Sequence, residues 1–465
     1  MDRLGAIDAA FYYLDGETTP MHVGSVSLME GPAPSDADLS GLLAAKLPGV
    51  PRYRQRVRTV PFGLGRPLWV DDEDFRMAHH VRRVALPAPG GSEQLRDLVS
   101  RVMEQRLDLA RPLWEVWLVD GLEDGRWAII AKVHHCMVDG IAGTDLLSLI
   151  FDPSPEVALE EPAAWQPTPQ PTTVSLIAES MRGTVGDAAG HTVRQLGALR
   201  HVGPPREWLR RTDVVRASVF DAARRATAPT ARGLNGPLGP HRRWAWTAGE
   251  LATVKRVRRH LGGSINDVVL AAITAGLRDL LAGRDQLTDR LVVRTLVPVS
   301  VRQPSERGQA GNQIAAVLVD LPVGEVDPLV RLASVRRQMD DHKRLVLAVD
   351  ARTMLSAGDM VAPTLLALGA RATALAQPVA QAVATNVPGP RRPLYALGRR
   401  MISLYAHVPI AMECRLAIGV YSYGDRMTFG INADFDGVPD VDVLADGIAR
   451  GIEELAALAG DTPTR

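Results

Sequence analysis

Cysteine is scarce: Cys136 and Cys414 are the only two in 465 residues. Two thiols cannot build a disulfide framework, and at most one bridge is possible, which fits a reducing compartment. An excess of charge of either sign is also missing, with 53 basic and 53 acidic side chains. No global field therefore draws the chain to nucleic acid or to an anionic membrane. Long apolar runs are lacking too. The least charged stretch, Met360 to Pro390, has only Arg371 charged but is broken by polar residues and four prolines, unlike a spanning helix of about twenty apolar residues. Asp2 and Asp8 stand where a secretory leader would need a basic segment and an apolar core, so export is not expected. Without a Gly-rich phosphate cradle of the P-loop or dinucleotide-binding kind, nucleotide-driven or redox chemistry has no support.

What is present suggests two mixed domains. The chain is too long for one ordinary core, and DPSPEVALEEPAAWQPTPQPTT after Phe151 repeats proline in a way that suits an extended linker. Val174 to Arg243 follows with twelve arginines against five acids. It reads as a solvated helical connector, or else as a docking strip for phosphates or lipid headgroups. Beyond Trp244, GELATVKRVRRHLGG and SINDVVLAAITAGLRDLLAG have helical periodicity, the second with Val269, Ile273, Gly276, Leu277 and Leu280 in one stripe and Ser264 and Asp267 as a capping box. RLVVRTLVPVSVR, MISLYAHVPI, RLAIGVYSYGD and RMTFGINADFDG read as strands. We expect an N-terminal domain over 1–151, a linker over 152–243 and a C-terminal domain over 244–465, each domain α/β or α+β with a mixed sheet.

The segment AKVHHCMVDGIAG, residues 131–143, carries the chemistry. WAIIAKV ends a strand at His134, and Asp139-Gly140 makes a turn before a helical pattern, so the histidines sit where a rigid support can project them into a cleft. Adjacent His134 and His135 lack the i, i+4 spacing of a helical zinc site. As core filler, both would be hydrogen-bonded and Asp139 would be an N-cap. As an acid–base pair, one neutral imidazole would take a proton from a hydroxyl; this reading is preferred. Cys136 as a nucleophile is a fourth option, although neighbouring side chains on a strand point to opposite faces.

HHCMVDG fits the HHxxxDG signature of the chloramphenicol-acetyltransferase-like superfamily, which includes condensation domains and wax ester synthase/diacylglycerol acyltransferases. LGAIDAAFYYLDGETTPMHVGSVSL and RPLWEVWLVDGL resemble blocks of the latter family, as do LNGPLGPHRRWA, SINDVVLAA, LVPVSVR, GNQIA, TNVPGP and FGINADFDGVPD, in the family's order through both halves. The resemblance implies two related domains with an active-site tunnel at their interface. It also implies fatty acyl transfer from acyl-CoA to the hydroxyl of diacylglycerol or a long-chain alcohol, with acyl-CoA as substrate and no cofactor or metal. By the same resemblance His135 is the general base, His134 its support, Asp139 a structural orienter and Gly140 the turn. Arg302 is the expected partner of Asp139. Asn266 is either an oxyanion donor or, with Asp267, part of the helix cap. Pro112, Leu113 and Trp114 would pack the tunnel wall or the start of a strand, and Arg242 and Arg243 are candidates for CoA phosphates. The expected setting is cytoplasmic, in peripheral contact with a membrane or lipid droplet through Met360 to Leu368 and the Arg-rich connector. The competing readings are a condensation-type acyltransferase with carrier-bound donors and a non-catalytic lipid-surface binding protein.

Overall fold

The computed structural model describes residues 2–138, 143–156, 165–179, 230–231, 233–300, 314–348 and 380–460. The first half runs α1 (Ala6–Leu14), β1 (His22–Met29), α2 (Asp36–Lys46), β2 (Gln55–Arg58), β3 (Leu68–Asp71), β4 (Val81–Ala85), α3 (Ser92–Glu104), β5 (Trp114–Asp120), β6 (Trp127–His134) and α4 (Gly143–Ile150). The second runs β7 (Arg242–Glu250), α5 (Leu251–Leu261), α6 (Ile265–Gly283), β8 (Val293–Ser300), β9 (Ile314–Leu321) and α7 (Pro328–Ala348). It ends with β10 (Ala382–Pro388), β11 (Tyr395–Ala396), β12 (Arg399–His407), β13 (Leu416–Tyr423), β14 (Arg426–Asp434) and α8 (Val441–Leu458).

Both large sheets are mixed. One has the order β11-β12-β1-β6-β5-β4 and the other β7-β14-β13-β10-β8-β9, while β2 and β3 form a separate hairpin. All eight residues of β6 are buried, because both faces of its sheet are covered. Trp127, Ile129, Ala131 and Val133 pack into one core with Leu42 of α2 and Leu146 of α4. Ala128 and Ile130 pack into another with Leu98 and Val102 of α3. Lys132 and His134 continue that second face by strand alternation.

The sheets cross the boundaries expected from the sequence. β12 pairs with β1 although it lies in the second half, β11 extends the same sheet beyond it, and β7 begins at Arg242, inside the expected linker. An available edge decides strand pairing, whatever the separation along the chain, and β12 covers the edge that β1 would otherwise expose. The expected stripe on α6 is buried, yet burial runs around the helix from Asp267 to Leu277 because α8 lies along it. A Cβ on Gly276 would come within 2.6 Å of the Leu444 carbonyl oxygen, so the close helix contact needs a residue without a side chain.

The two halves meet where β12 lies across β14. A Cβ on Gly430 would stand 1.9 Å from the Ala406 carbonyl oxygen, and one on Gly419 2.6 Å from the Ala406 Cβ. On either side of this contact, Thr428 Oγ1 donates to the Leu404 carbonyl and Asn432 Nδ2 donates to that of Val408 at 2.9 Å. Alternate residues of β14 thus grip alternate residues of β12.

Gly430→Ala should overpack the seam and destabilise the protein by about 1–3 kcal/mol or more. Gly41→Ala, in an exposed turn of α2 with nothing within 4 Å of the added carbon, should stabilise by up to about 1 kcal/mol; paired thermal scans check both signs. Burial holds the imidazoles of His80 and His134 at pKa about 4, that of His407 at about 3, and that of His22 well below the usual value. The unfolded chain therefore binds protons that the fold refuses. Stability should be intact above about pH 6.5 and fall as pH drops toward 4, each histidine contributing up to about 1.4 kcal/mol per pH unit. Denaturation followed from pH 7 to 4.5 should show a proton uptake by these groups that rises from about one near pH 7 to between about three and four near pH 5; a flat profile would contradict their burial as neutral rings.

Candidate active site

β6 delivers the histidine pair to the end of the first sheet. The backbone N–H of His134 donates to the Leu113 carbonyl at 2.9 Å and that of His135 to the Met21 carbonyl at 2.8 Å, so strand pairing fixes both α-carbons before any side-chain contact is made. The chain then tightens into a short 3₁₀ turn, His135–Met137. Nδ1 of His134 accepts from the Cys136 N–H at 3.1 Å and so caps the turn that carries His135.

That hydrogen bond also sets the tautomer. In a neutral ring with Nδ1 accepting, the proton resides on Nε2, and Nε2 faces Asp15 Oδ1 at 3.8 Å, with both side chains almost fully buried. The separation exceeds a hydrogen bond. Burial lowers the His134 pKa to about 4, against the upward pull of Asp15. Asp15 is held by others: Oδ1 accepts from the Met21 N–H at 2.7 Å and Oδ2 from Arg106 Nε at 2.9 Å.

His135 is the more open of the pair. Its ring lies flat on Phe11 of α1, with centroids 3.8 Å apart and planes 24° from parallel, and it is half-buried. Its Nδ1 is buried without a hydrogen-bond partner among the described residues. Burial lowers its pKa, which keeps the imidazole neutral and able to accept a proton at neutral pH. Burial also pushes the Cys136 thiol well up. A thiol held protonated is a poor nucleophile, and the Cys136 option loses its basis.

Around the pair lies a polar row that crosses three strands. His22 pairs with His134 in register, and Gly24 sits between Lys132 and His407. His22 Nε2 bonds the Met103 carbonyl at 2.7 Å, and its ring stacks with that of His407 at 6.2 Å. Lys132 Nζ donates to the Val102 carbonyl at 2.9 Å and to that of Gln105. A cation thereby satisfies carbonyls that the end of α3 leaves orphaned, where the helix dipole favours positive charge. Burial lowers the Lys132 pKa to about 8.

The other expected residues divide. Leu113 and Trp114 are fully buried; the Trp114 indole donates to the Tyr53 carbonyl at 2.8 Å and stacks on His80. Pro112 is buried beside them, and the segment supports the start of β5 and the backbone of His134. Asp267 closes the capping box, its N–H bonded to Ser264 Oγ at 3.2 Å and its Oδ2 accepting from the Ser264 N–H at 2.6 Å. Asn266 Oδ1 accepts from Asn386 Nδ2 at 3.3 Å, which brings the SINDVVLAA and TNVPGP blocks together. Arg242 does not suit a CoA contact. It is 4% exposed, and its guanidinium donates to the carbonyls of Gly239, His241 and Thr18, tying β7 to the loop after α1. Arg243 points the other way, stacked over Phe435 at 3.8 Å with Nε bonded to the Phe435 carbonyl at 3.0 Å. Asp139, Gly140 and Arg302 lie outside the described residues. Asp15, Phe11, His22, Lys132 and His407 were not singled out from the sequence. LDGETTPMHVG did flag the segment holding Asp15 and His22, but only as a family block.

Residues 4–269 match the family profile described as the wax ester synthase/diacylglycerol acyltransferase catalytic domain, and residues 310–456 match its C-terminal domain. A Mycobacterium tuberculosis protein named as a probable diacylglycerol O-acyltransferase, tgs1, is 38% identical over 99% of this chain and 96% of its own. The solved wax ester synthase/diacylglycerol acyltransferase from Marinobacter aquaeolei VT8 superposes with a TM-score of 0.71 at 26% identity, covering 99% of this chain and 100% of that one. The first condensation domain of the calcium-dependent antibiotic synthetase shares the fold, with a TM-score of 0.59 at 18% identity over 99% and 98% of the two chains. With a profile match that spans the histidine pair, and relatives aligned from end to end, the chain belongs to the wax ester synthase/diacylglycerol acyltransferase family.

Proposed function

We propose that this acyltransferase moves a fatty acyl group from acyl-CoA to the hydroxyl of diacylglycerol or a long-chain alcohol in one direct step, with His135 as general base. The observation that carries the proposal is the setting of His135: half-buried, stacked on Phe11 and carried by the turn that His134 caps; burial lowers its pKa, which favours the neutral ring. As the acceptor oxygen attacks the thioester carbonyl, its proton passes to the His135 imidazole. The tetrahedral intermediate then collapses, the C–S bond breaks, and the imidazolium returns the proton to the departing CoA sulfur. A base so placed contributes roughly 10²- to 10⁴-fold, and alignment of the two substrates adds a large proximity effect.

A tunnel between the halves would bring the substrates to this ring. Among the described residues His134 Nε2 is buried without a hydrogen-bond partner, and His407 and Asn432 bring further buried polar atoms together at the seam. Such atoms call for polar company, which favours a space between the sheets. Asp15 acts in this reading as a positioning residue, anchoring the Met21 backbone that holds His135 and facing the Nε2–H of His134. Peripheral contact with a membrane or lipid droplet on the cytoplasmic side is part of the proposal, since both kinds of acceptor are water-insoluble. Among the described residues no helix is long and apolar enough to cross a membrane. The contact segments expected from the sequence, Met360 to Leu368 and most of the Arg-rich connector, lie outside the described residues.

CoA release from palmitoyl-CoA, offered diacylglycerol and hexadecanol separately, tests the chemistry. His135→Ala should lower turnover by about 10²- to 10⁴-fold with folding retained; unchanged ester formation would remove His135 from the reaction, and activity with carrier-bound donors alone would favour a condensation-type enzyme. Asp15→Asn keeps an oxygen for the Met21 N–H but loses the charge that binds Arg106. It should lower kcat about tenfold or more with KM for acyl-CoA nearly constant. An equal fall in thermal stability and in kcat, restored together by stabilising conditions, would reduce Asp15 to a purely structural role.

A further inference from the structure

The helix α5, the loop before β11, the start of β12 and the β13–β14 turn border a cavity of about 710 Å³ lined by Lys255, Arg258, Arg259, Arg391 and Arg400, with Asp425 the one acid in its wall. The first four cations are exposed, and with the described residues their side chains make no ion pair or hydrogen bond. Arg400 faces Glu30 at 3.7 Å, with both side chains more than half exposed, a pairing of little strength.

The sequence accounts for part of this. Leu251, Val254 and Val257 bury one face of α5, and basic residues suit the last turn of a helix. That does not explain Lys255, Arg258 and Arg259 at i, i+3 and i+4, where like charges repel, on a helix whose sequence LATVKRVRRHL has no acid to relieve them. Nor does it explain why residues more than 130 positions away add two further arginines to the same hollow. Five cations converging on a concave surface form an electrostatic trap. Guanidinium groups favour phosphate oxygens, which they bind with two parallel hydrogen bonds. The volume falls in the range of small-molecule sites, and a hollow encloses a discrete ligand where a bilayer would need a protruding face.

We propose that this cavity binds a phosphate-bearing small molecule of two or more negative charges, at a site separate from the acyl-transfer centre. Seven residue steps along β12 lead from Arg400 to His407 beside the histidine row, roughly 23 Å at strand rise. The cavity therefore does not depend on the role of His135.

Isothermal titration of the full-length protein with adenosine 3′,5′-bisphosphate and with inorganic pyrophosphate tests the site, alongside flotation on phosphatidylglycerol/phosphatidylcholine vesicles. The expected result is saturable binding of at least one free probe, weakened at higher ionic strength. It should be weakened about tenfold or more in Arg258→Ser/Arg391→Ser and change less than about threefold in Arg258→Lys/Arg391→Lys. These side chains are exposed, so the variants should fold. Failure of both free probes to bind, equal binding by the serine variant, or capture by anionic vesicles alone would overturn the proposal, the last outcome marking a membrane-contact patch instead.

Discussion

Because Gly430 has no side chain, the backbone of β12 can lie against β14 at Ala406 while its edge stays hydrogen-bonded to β1. One strand thus belongs to the first sheet by its hydrogen bonds and to the second by its face. The arrangement sets the depth of everything near the strand's end. His407 is carried in beside His22, and Arg242, on the strand next to β14, reaches the Thr18 carbonyl in the loop after α1. That loop holds Asp15 and Met21, and Met21 holds the backbone of His135. The proposed acyl-transfer centre uses first-half residues, yet contacts made by the second half fix its surroundings.

The parts of this that were legible in sequence are local. WAIIAKVHH announces a buried strand ending in two histidines, and Ser264 and Asp267 announce a helix start, because hydrophobic alternation and capping depend on neighbours a few residues apart. The partners of the histidines are not local. His22 and His407 are separated by most of the chain and meet only through strand register, which no periodicity encodes. Lys132 looks in sequence like an exposed break in an apolar run, and its role depends on where the last carbonyls of α3 come to rest. Arg242 shows how the start of an element alters a functional expectation. Placed in a linker, adjacent arginines look alike; placed at the start of a strand, they must point to opposite faces, one tying the halves together and the other stacking on Phe435.

The electrostatics around His135 differ from those of a base raised by a carboxylate. Asp15 is the nearby buried acid, but its oxygens are engaged by Arg106 and the Met21 N–H, and it stays beyond hydrogen-bond reach of His134. Its charge is offset locally, and burial remains the dominant influence on both rings. A lowered pKa weakens the imidazole as a base but strengthens its conjugate acid. In the transfer proposed above both properties would count, since the same proton would first leave a hydroxyl and then meet a departing thiolate, whose ordinary pKa near 8.5 lies above that of the ring. The second transfer is downhill from a low-pKa imidazolium, and the ring returns to its neutral state without help from solvent. The cost falls on the first transfer, where alignment of the acceptor against the thioester must supply what basicity does not. That places the burden on Phe11, the His134 cap and the seam at Gly430, whose common effect is to hold one ring still.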